Sequence, residues 1–503
     1  MLENFFTDKN KPDFLFKYRY WLVGLVVFFA LDIVSWLGWQ YKGWGSLLAI
    51  GLALGWLWLA SRKISWGLIW LVAELIVGSF GRLFIVEWAG WWLPWRYLIF
   101  IFASGLLIVK IWSHKEYFLK QPKEIGWWLV SLFVLLSSLV VAIVKGNSFY
   151  NIFLDMNGYL YLLLWPMFLL AKKESADLWL QAKEILSAAV IWLGLKTLFM
   201  FFLFGHYPAY ELSLVYSWWR DTGLGEITSL GTGYYRIFSQ SHLWSTLAAI
   251  SGLAYLAVTK VKNNKNFVVE PILGLFIWFN LMVVLVSMSR SLWLGLLVGW
   301  FILLVVIMIK AGSRSFFVYG LVSFILLLSA WGGLKVLSNL TTLGQPTISS
   351  IDLSGRFSSN EAAGQSRLQL LGPLVKATVD NLWLGAGFGA TVEYQTSDPR
   401  VVKATAGGTG WVTTYAFEWG YLDLLYKLGL IGAIIYLWFF LRWLDYTILK
   451  SGQLITFYKL AAVGTWGVLL VTNLTTPYLN HPLGIGAAMA IMIFLVNKKT
   501  IYV

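Results

Sequence analysis

Two arginines stand where a strongly apolar chain should hold none. Arg290 lies in Ser-Met-Ser-Arg-Ser between two hydrophobic runs. The stretch from Phe267 to Ile309 is only just long enough for two helical crossings, because a hydrocarbon core of about 30 Å needs roughly 20 residues at 1.5 Å each. The turn is therefore tight, and Arg290 falls at or slightly below a membrane edge. An arginine there either snorkels to the interface or lines a polar cavity suited to a phosphate. Arg236, in Tyr-Tyr-Arg-Ile-Phe-Ser-Gln-Ser-His, opens an earlier apolar run and brings Gln240 and His242 with it. On a helix Arg236 and Gln240 share a face. Two cations at one depth suit a diphosphate better than either alone.

Glu418 begins Glu-Trp-Gly-Tyr-Leu-Asp-Leu-Leu-Tyr-Lys-Leu-Gly-Leu-Ile-Gly, where polar sequence gives way to apolar. A carboxylate there either complements the first turn of a helix or takes a proton from a hydroxyl. Arg367 and Arg356 are either solvated surface or anion ligands. Gly385, Gly387 and Gly389 follow no predicted strand and precede no Lys-Ser/Thr pair, so they read as a helix-ending turn rather than a phosphate loop. The four histidines, His114, His206, His242 and His481, lack metal-ligand spacing, and the chain has no cysteine. No metal or cofactor is expected.

These residues need a scaffold, and the composition names its solvent. Of 503 residues, 59% are hydrophobic and 12% charged, about half the charge that a soluble surface carries. Fourteen spans are predicted, near 20–37, 44–60, 64–79, 95–112, 126–144, 156–171, 184–204, 238–258, 268–288, 291–309, 316–334, 428–444, 455–473 and 483–497. The net charge of +14 is scattered through alternate short loops, as in Arg62 and Lys63, Lys172 and Lys173, or Lys498 and Lys499. That is the positive-inside signature. It puts both termini in the cytoplasm and argues against a nucleic-acid stripe. The first apolar run is too long for a cleavable signal.

Two longer segments then face outward, Gly205 to Phe238 and about Lys335 to Lys427. In the second, Leu368, Leu371, Val375, Val379 and Leu382 recur at helical spacing, predicting an amphipathic helix on the membrane surface. The Phe84–Val86 run is expected along the interface. Most of the 31 tryptophans anchor helix ends, while Trp91, Trp92, Trp218 and Trp219 could stack on sugars. Asp32 and Glu74 are proton-relay candidates for a transporter, though no inverted repeat accompanies them.

Three ordered segments resemble the bacterial O-antigen ligase and polymerase family. They are Ser289-Arg290-Ser291-Leu-Trp-Leu-Gly; Arg367-Leu-Gln-Leu-Leu with Asn381-Leu-Trp-Leu-Gly-Ala-Gly-Phe-Gly; and the segment opened by Glu418. Arg236-Ile-Phe-Ser resembles a fourth, upstream motif. The resemblance covers roughly residues 230 to 440. It implies an all-α polytopic membrane glycosyltransferase of the GT-C-like kind in the bacterial cytoplasmic membrane. Its parts would be N-terminal helices over 1–230, a catalytic region over 231–444 containing outer loop 335–427, and C-terminal helices over 445–503.

The implied donor is an oligosaccharide on a polyprenyl (undecaprenyl) diphosphate, and the acceptor a glycan, with membrane lipids and a chain-length regulator protein as partners. Arg236 and Arg290 would hold the diphosphate and Glu418 would activate the acceptor. Arg367, Arg356, Gln240, His242 and Tyr421 would shape the substrate sites. Ligases of the family usually carry histidine where this chain has Glu418, and polymerases more often glutamate, so the departure favours a polymerase. A ligase acting on a lipid or protein acceptor and a lipid-oligosaccharide flippase are the rival readings.

Overall fold

The computed structural model describes residues 19–88, 90–175, 178–230, 234–262, 269–339, 362–403, 408–448 and 457–496. It is an all-α membrane architecture, 78% helical. Among the described residues, eight helices are long and apolar enough to cross a membrane, nine if one bent pair counts as a span.

In chain order, α1 (Arg19–Gln40), α2 (Lys42–Arg62) and α3 (Ile64–Gly78) lead to a hairpin of β1 (Ile85–Trp88) and β2 (Trp91–Pro94). The expected interfacial run at Phe84–Val86 enters this hairpin. Next come α4 (Trp95–Ser113), α5 (Pro122–Val144), α6 (Phe149–Met156), α7 (Trp165–Glu174), α8 (Leu178–His206) and the short α9 (Ser213–Asp221). A second hairpin, β3 (Glu226–Ser229) with β4 (Tyr235–Phe238), precedes α10 (His242–Lys262), α11 (Pro271–Val286) and α12 (Arg290–Asn339). The outer segment holds α13 (Ala362–Asp380) and a third hairpin, β5 (Val392–Gln395) with β6 (Trp411–Thr414). Then follow α14 (Gly420–Ile448), α15 (Phe457–Thr472) and α16 (Pro482–Ile491).

Helix α12 is two helices joined at Gly312, whose φ is +79°. The Trp300 indole donates to Ser323 Oγ at 2.8 Å. In a straight helix those residues would lie about 35 Å apart, so the halves fold back on each other. Each of the fourteen expected segments overlaps a described helix. The last outer segment is shorter than expected at both edges, because α12 runs to Asn339 and α14 starts at Gly420.

The bundle has two unlike ends. At one, all three hairpins gather with the helix termini. Ser35 Oγ donates to Leu83 O at 2.7 Å, Lys196 Nζ to Val77 O at 2.8 Å, and Tyr478 OH to Gln240 O at 3.2 Å. At the other, Glu174 accepts from the backbone of Ile64 and Ser65, capping α3, and Arg442 Nη2 pairs with Glu124 at 2.7 Å.

One large apolar core unites the bundle, and a small second cluster (Leu370, Leu374, Val392, Tyr394, Phe417, Tyr426) holds the outer segment together. That cluster packs on a different face of α13 from the expected apolar stripe. Leu370 and Leu374 face the protein, whereas Leu368, Val375 and Val379 are exposed, which leaves a second apolar face pointing outward. Trp218 and Trp219 are buried, which removes the alternative reading of them as sugar-stacking surfaces. Arg356 lies outside the described residues.

Candidate functional site

Arg236 owes its position to the β3–β4 hairpin. It pairs across the ladder with Thr228, and because alternate residues share a face, Glu226 is its diagonal neighbour. The Arg236 Nη1–Glu226 Oε2 distance is 3.8 Å. On the same strand, the Phe238 ring lies 4.6 Å beneath the guanidinium. Arg236 Nε donates to the carbonyl of Ser287 at 2.9 Å, which ties the hairpin to the end of α11.

The turn after α11 is as tight as the sequence demands. Met288 adopts φ +48°, and Arg290 is the first residue of α12. Ser289 N donates to Ser287 Oγ at 3.2 Å, Ser289 and Ser291 share a hydroxyl contact of 3.0 Å, and Thr476 Oγ1 donates to Ser291 Oγ at 3.0 Å. These short side chains satisfy the turn and leave the exposed Arg290 at the mouth of the bundle. Its Nη1 lies 3.7 Å from where a Cβ on Gly364 would stand, against the first turn of α13.

One turn further along α13, Arg367 Nε forms an ion pair with Glu418, and the Trp419 indole donates to the Arg367 carbonyl at 3.0 Å. Both charged side chains are about half exposed, at 45% and 50%, so water and a ligand can reach the pair. Partial burial, and then the neighbouring Arg290 charge, lower the Arg367 pKa, while Glu226 opposes them. Arg236, Arg290, Arg367, Glu226 and Glu418 therefore belong to one open cluster, with three guanidiniums against two carboxylates. Arg290 also stands at a helix N-terminus, where backbone N–H groups and the macrodipole favour an anion.

The remaining predicted residues have other roles. His242 is buried, with Nε2 3.0 Å from Thr197 Oγ1 and Nδ1 facing the Ser239 N–H at 3.3 Å; it closes the first turn of α10 and does not reach the open cluster. Tyr421 OH donates to the Leu470 carbonyl at 2.7 Å, clamping α14 to α15. Gln240 is fixed through its carbonyl, which accepts from Tyr478. Glu226 was missed by the sequence reading, although Glu-Ile-Thr-Ser and Tyr-Tyr-Arg-Ile-Phe around Leu-Gly-Thr-Gly carry a hairpin signal.

A second charged cluster lies deeper. Lys427 Nζ is 2.5 Å from both Asp155 Oδ1 and Asp423 Oδ1, and all three side chains are almost fully buried. Asn480 Nδ2 donates to Asp423 Oδ2 at 2.5 Å, and the Gly389 N–H donates to Asp155 Oδ2 at 2.8 Å. Helix α14 breaks beside it at Gly429 (φ +70°). The glycine loop supplies partners for the break: Ala386 N donates to Tyr426 O at 2.6 Å, Gly387 N to Lys427 O at 3.2 Å, and Leu430 N to Leu382 O at 2.7 Å. Gly387 has φ +81°, and a Cβ there would stand 2.4 Å from Ala142 N. The loop is thus more than a helix-ending turn; it supplies partners for backbone groups at the break in α14.

Asp32 and Glu74, the relay candidates, are paired as well, with Lys196 at 3.3 Å and Arg96 at 2.9 Å. Among the described residues, no three His, Asp or Glu side chains stand together as metal ligands. No family model, no curated protein and no solved structure matches the chain.

Proposed function

We propose that the protein is a membrane glycosyltransferase that polymerises surface glycan units from a polyprenyl-diphosphate-linked donor. The observation that carries this reading is the convergence of Arg236, Arg290, Arg367 and Glu418, distant in sequence, on one open cluster at the end of a lipid-facing bundle. Such a donor needs cations at the membrane edge, apolar surface for its tail and a proton acceptor above the diphosphate. In this reading the acceptor hydroxyl attacks the anomeric carbon and the bond from that carbon to the phosphate oxygen breaks. The lipid diphosphate leaves with its charge held by Arg236 and Arg290, and Glu418 takes the hydroxyl proton. The leaving group is already good, so charge stabilisation matters more than acid catalysis.

Glu418 must exchange Arg367 for the acceptor hydroxyl, which makes Arg367 the residue that holds the carboxylate ready between turnovers. Direct displacement inverts the anomeric centre. Fourteen crossings, with both termini in the cytoplasm and the cluster outside, fit the overlap of every expected span with a helix. They also fit the gathering of alternate helix termini at the hairpin end.

The test is elongation of a purified lipid-diphosphate oligosaccharide by protein in lipid nanodiscs. Polymerisation gives a ladder of lipid-linked chains. A single-step conjugate makes the protein a ligase, and movement of intact donor across the bilayer without covalent change makes it a flippase. Undiminished elongation by Arg290→Ala removes the diphosphate role.

A further inference from the structure

Away from the arginine cluster, the same end of the bundle holds a cavity of about 410 Å³ that no step above uses. Its floor is the turn between α1 and α2, where Gly38 and Gly45 touch; a Cβ on Gly45 would stand 2.5 Å from the Gly38 carbonyl. The missing side chains open the space. One wall is the β1–β2 hairpin with Glu87 and Trp92, and the other is the end of α9 with Arg220 and Asp221. Trp92 is 69% exposed, an indole left uncovered by the rest of the chain and paired across the ladder with Glu87. Lys42 Nζ lies 5.8 Å from that ring and 3.3 Å from Glu87 Oε1. Arg220 donates twice to Asp221 Oδ1, at 3.1 Å each. Arg82 stands between the walls, and among the described residues it pairs with no carboxylate.

We propose that this cavity is a saccharide subsite that holds one sugar of the glycan chain beside the transfer centre. The ring's C–H face stacks on Trp92, while Lys42 and Arg82 donate to its hydroxyls and Glu87 and Asp221 accept from them. Two features favour a sugar over a lipid phosphate. The rim offers both donors and acceptors, as a polyhydroxyl ligand requires, and two of its three cations are already paired with carboxylates, Lys42 with Glu87 and Arg220 with Asp221. The aromatic platform adds a flat apolar contact that a headgroup phosphate does not use.

Position supports the assignment. The cavity wall at Asp221 and Thr222 continues along the chain into β3, which begins at Glu226. From Thr222 to Glu226 the extended chain spans at most about 14 Å, the length of a short oligosaccharide. A chain seated on Trp92 would thus lead towards Glu226 and Arg236. The role in glycan transfer rests on the proposed function; the binding does not.

The experiment uses the full chain in nanodiscs and oligosaccharides of one to four repeat units cut from the host's own surface polysaccharide. Saturation-transfer NMR reports binding, and gel analysis reports the length of chains built from the lipid-linked donor. The wild type and Arg290→Ala are expected to bind the oligosaccharide equally, because the probe lacks a diphosphate. Trp92→Ala and Arg82→Gln should each bind about tenfold more weakly, and should make shorter chains with a near-normal first transfer. Both sites are at the surface, so the two variants guard against misfolding of either one. Unchanged binding in both variants overturns the subsite, as does loss of bound phosphatidylglycerol in Arg82→Gln, seen by native mass spectrometry, with glycan binding intact. Wild-type protein that binds the glycan but elongates no donor overturns the proposed function and upholds the subsite.

Discussion

The protein holds two charge clusters that look alike in sequence and differ in surroundings. Arg236, Arg290, Arg367, Glu226 and Glu418 meet at an open end of the bundle, with Arg367 and Glu418 half exposed. Lys427, Asp155 and Asp423 meet inside it, almost fully buried. In the open cluster, charges are held by backbone tethers such as Arg236 to the Ser287 carbonyl and can exchange partners. In the buried cluster each charge is locked by others, and the break in α14 and the glycine loop are built round it. A charge at the bilayer's edge can serve a ligand, whereas a charge in its interior must first be neutralised by its own fold.

The contrast can be broken most directly at Lys427. Lys427→Met leaves two buried carboxylates without their cation, and removing one partner of a buried ion pair costs about 3–5 kcal/mol. The variant should be recovered poorly and melt well below the wild type in a detergent thermal-shift assay. Replacing Asp155 and Asp423 by Asn in the same variant should restore part of the loss. A well-folded but inactive Lys427→Met would move the buried cluster into the functional site.

Arg290→Ala should do the reverse. Removing one preorganised charge donor from a transfer site typically costs about 10²–10³ in turnover, so elongation should fall by that order with the melting temperature nearly unchanged. Gly387→Ala sharpens the structural side. With φ +81° and Ala142 N only 2.4 Å from the new Cβ, it should destabilise by about 1–3 kcal/mol, read as a lower melting temperature. The smallest effect is expected from Tyr421→Phe. It loses one hydrogen bond to the Leu470 carbonyl, worth about 1 kcal/mol, and transfer should continue at the wild-type rate. A large fall in transfer would return Tyr421 to the substrate site.

The legible part of the site was the part with a local cause. The tight turn at Arg290 follows from run length alone, and the helical spacing of α13 was visible, though not which apolar face packs inward: Leu370 and Leu374, rather than Leu368 and Val375, meet β5 and α14. His242 sat two residues from Gln240 and shared its apparent promise. Only packing shows that it turns inward to Thr197 and Ser239. Asp423 and Lys427 stand four apart on one helical face, a pairing that the sequence does offer. Their third member, Asp155, is 272 residues from Lys427, and nothing in its neighbourhood announces it.

What the sequence determined by itself was the apolar solvent and the helical period. Hydrophobic run length marks where the helices lie, because it acts residue by residue against the bilayer. What only the tertiary structure decided was which charges meet. The β3–β4 register brings Glu226 to Arg236, α13 folds back to put Arg367 on Glu418, and the glycine loop closes over Gly429. Each depends on contacts between segments that are remote in the chain, which chain-local patterns cannot encode.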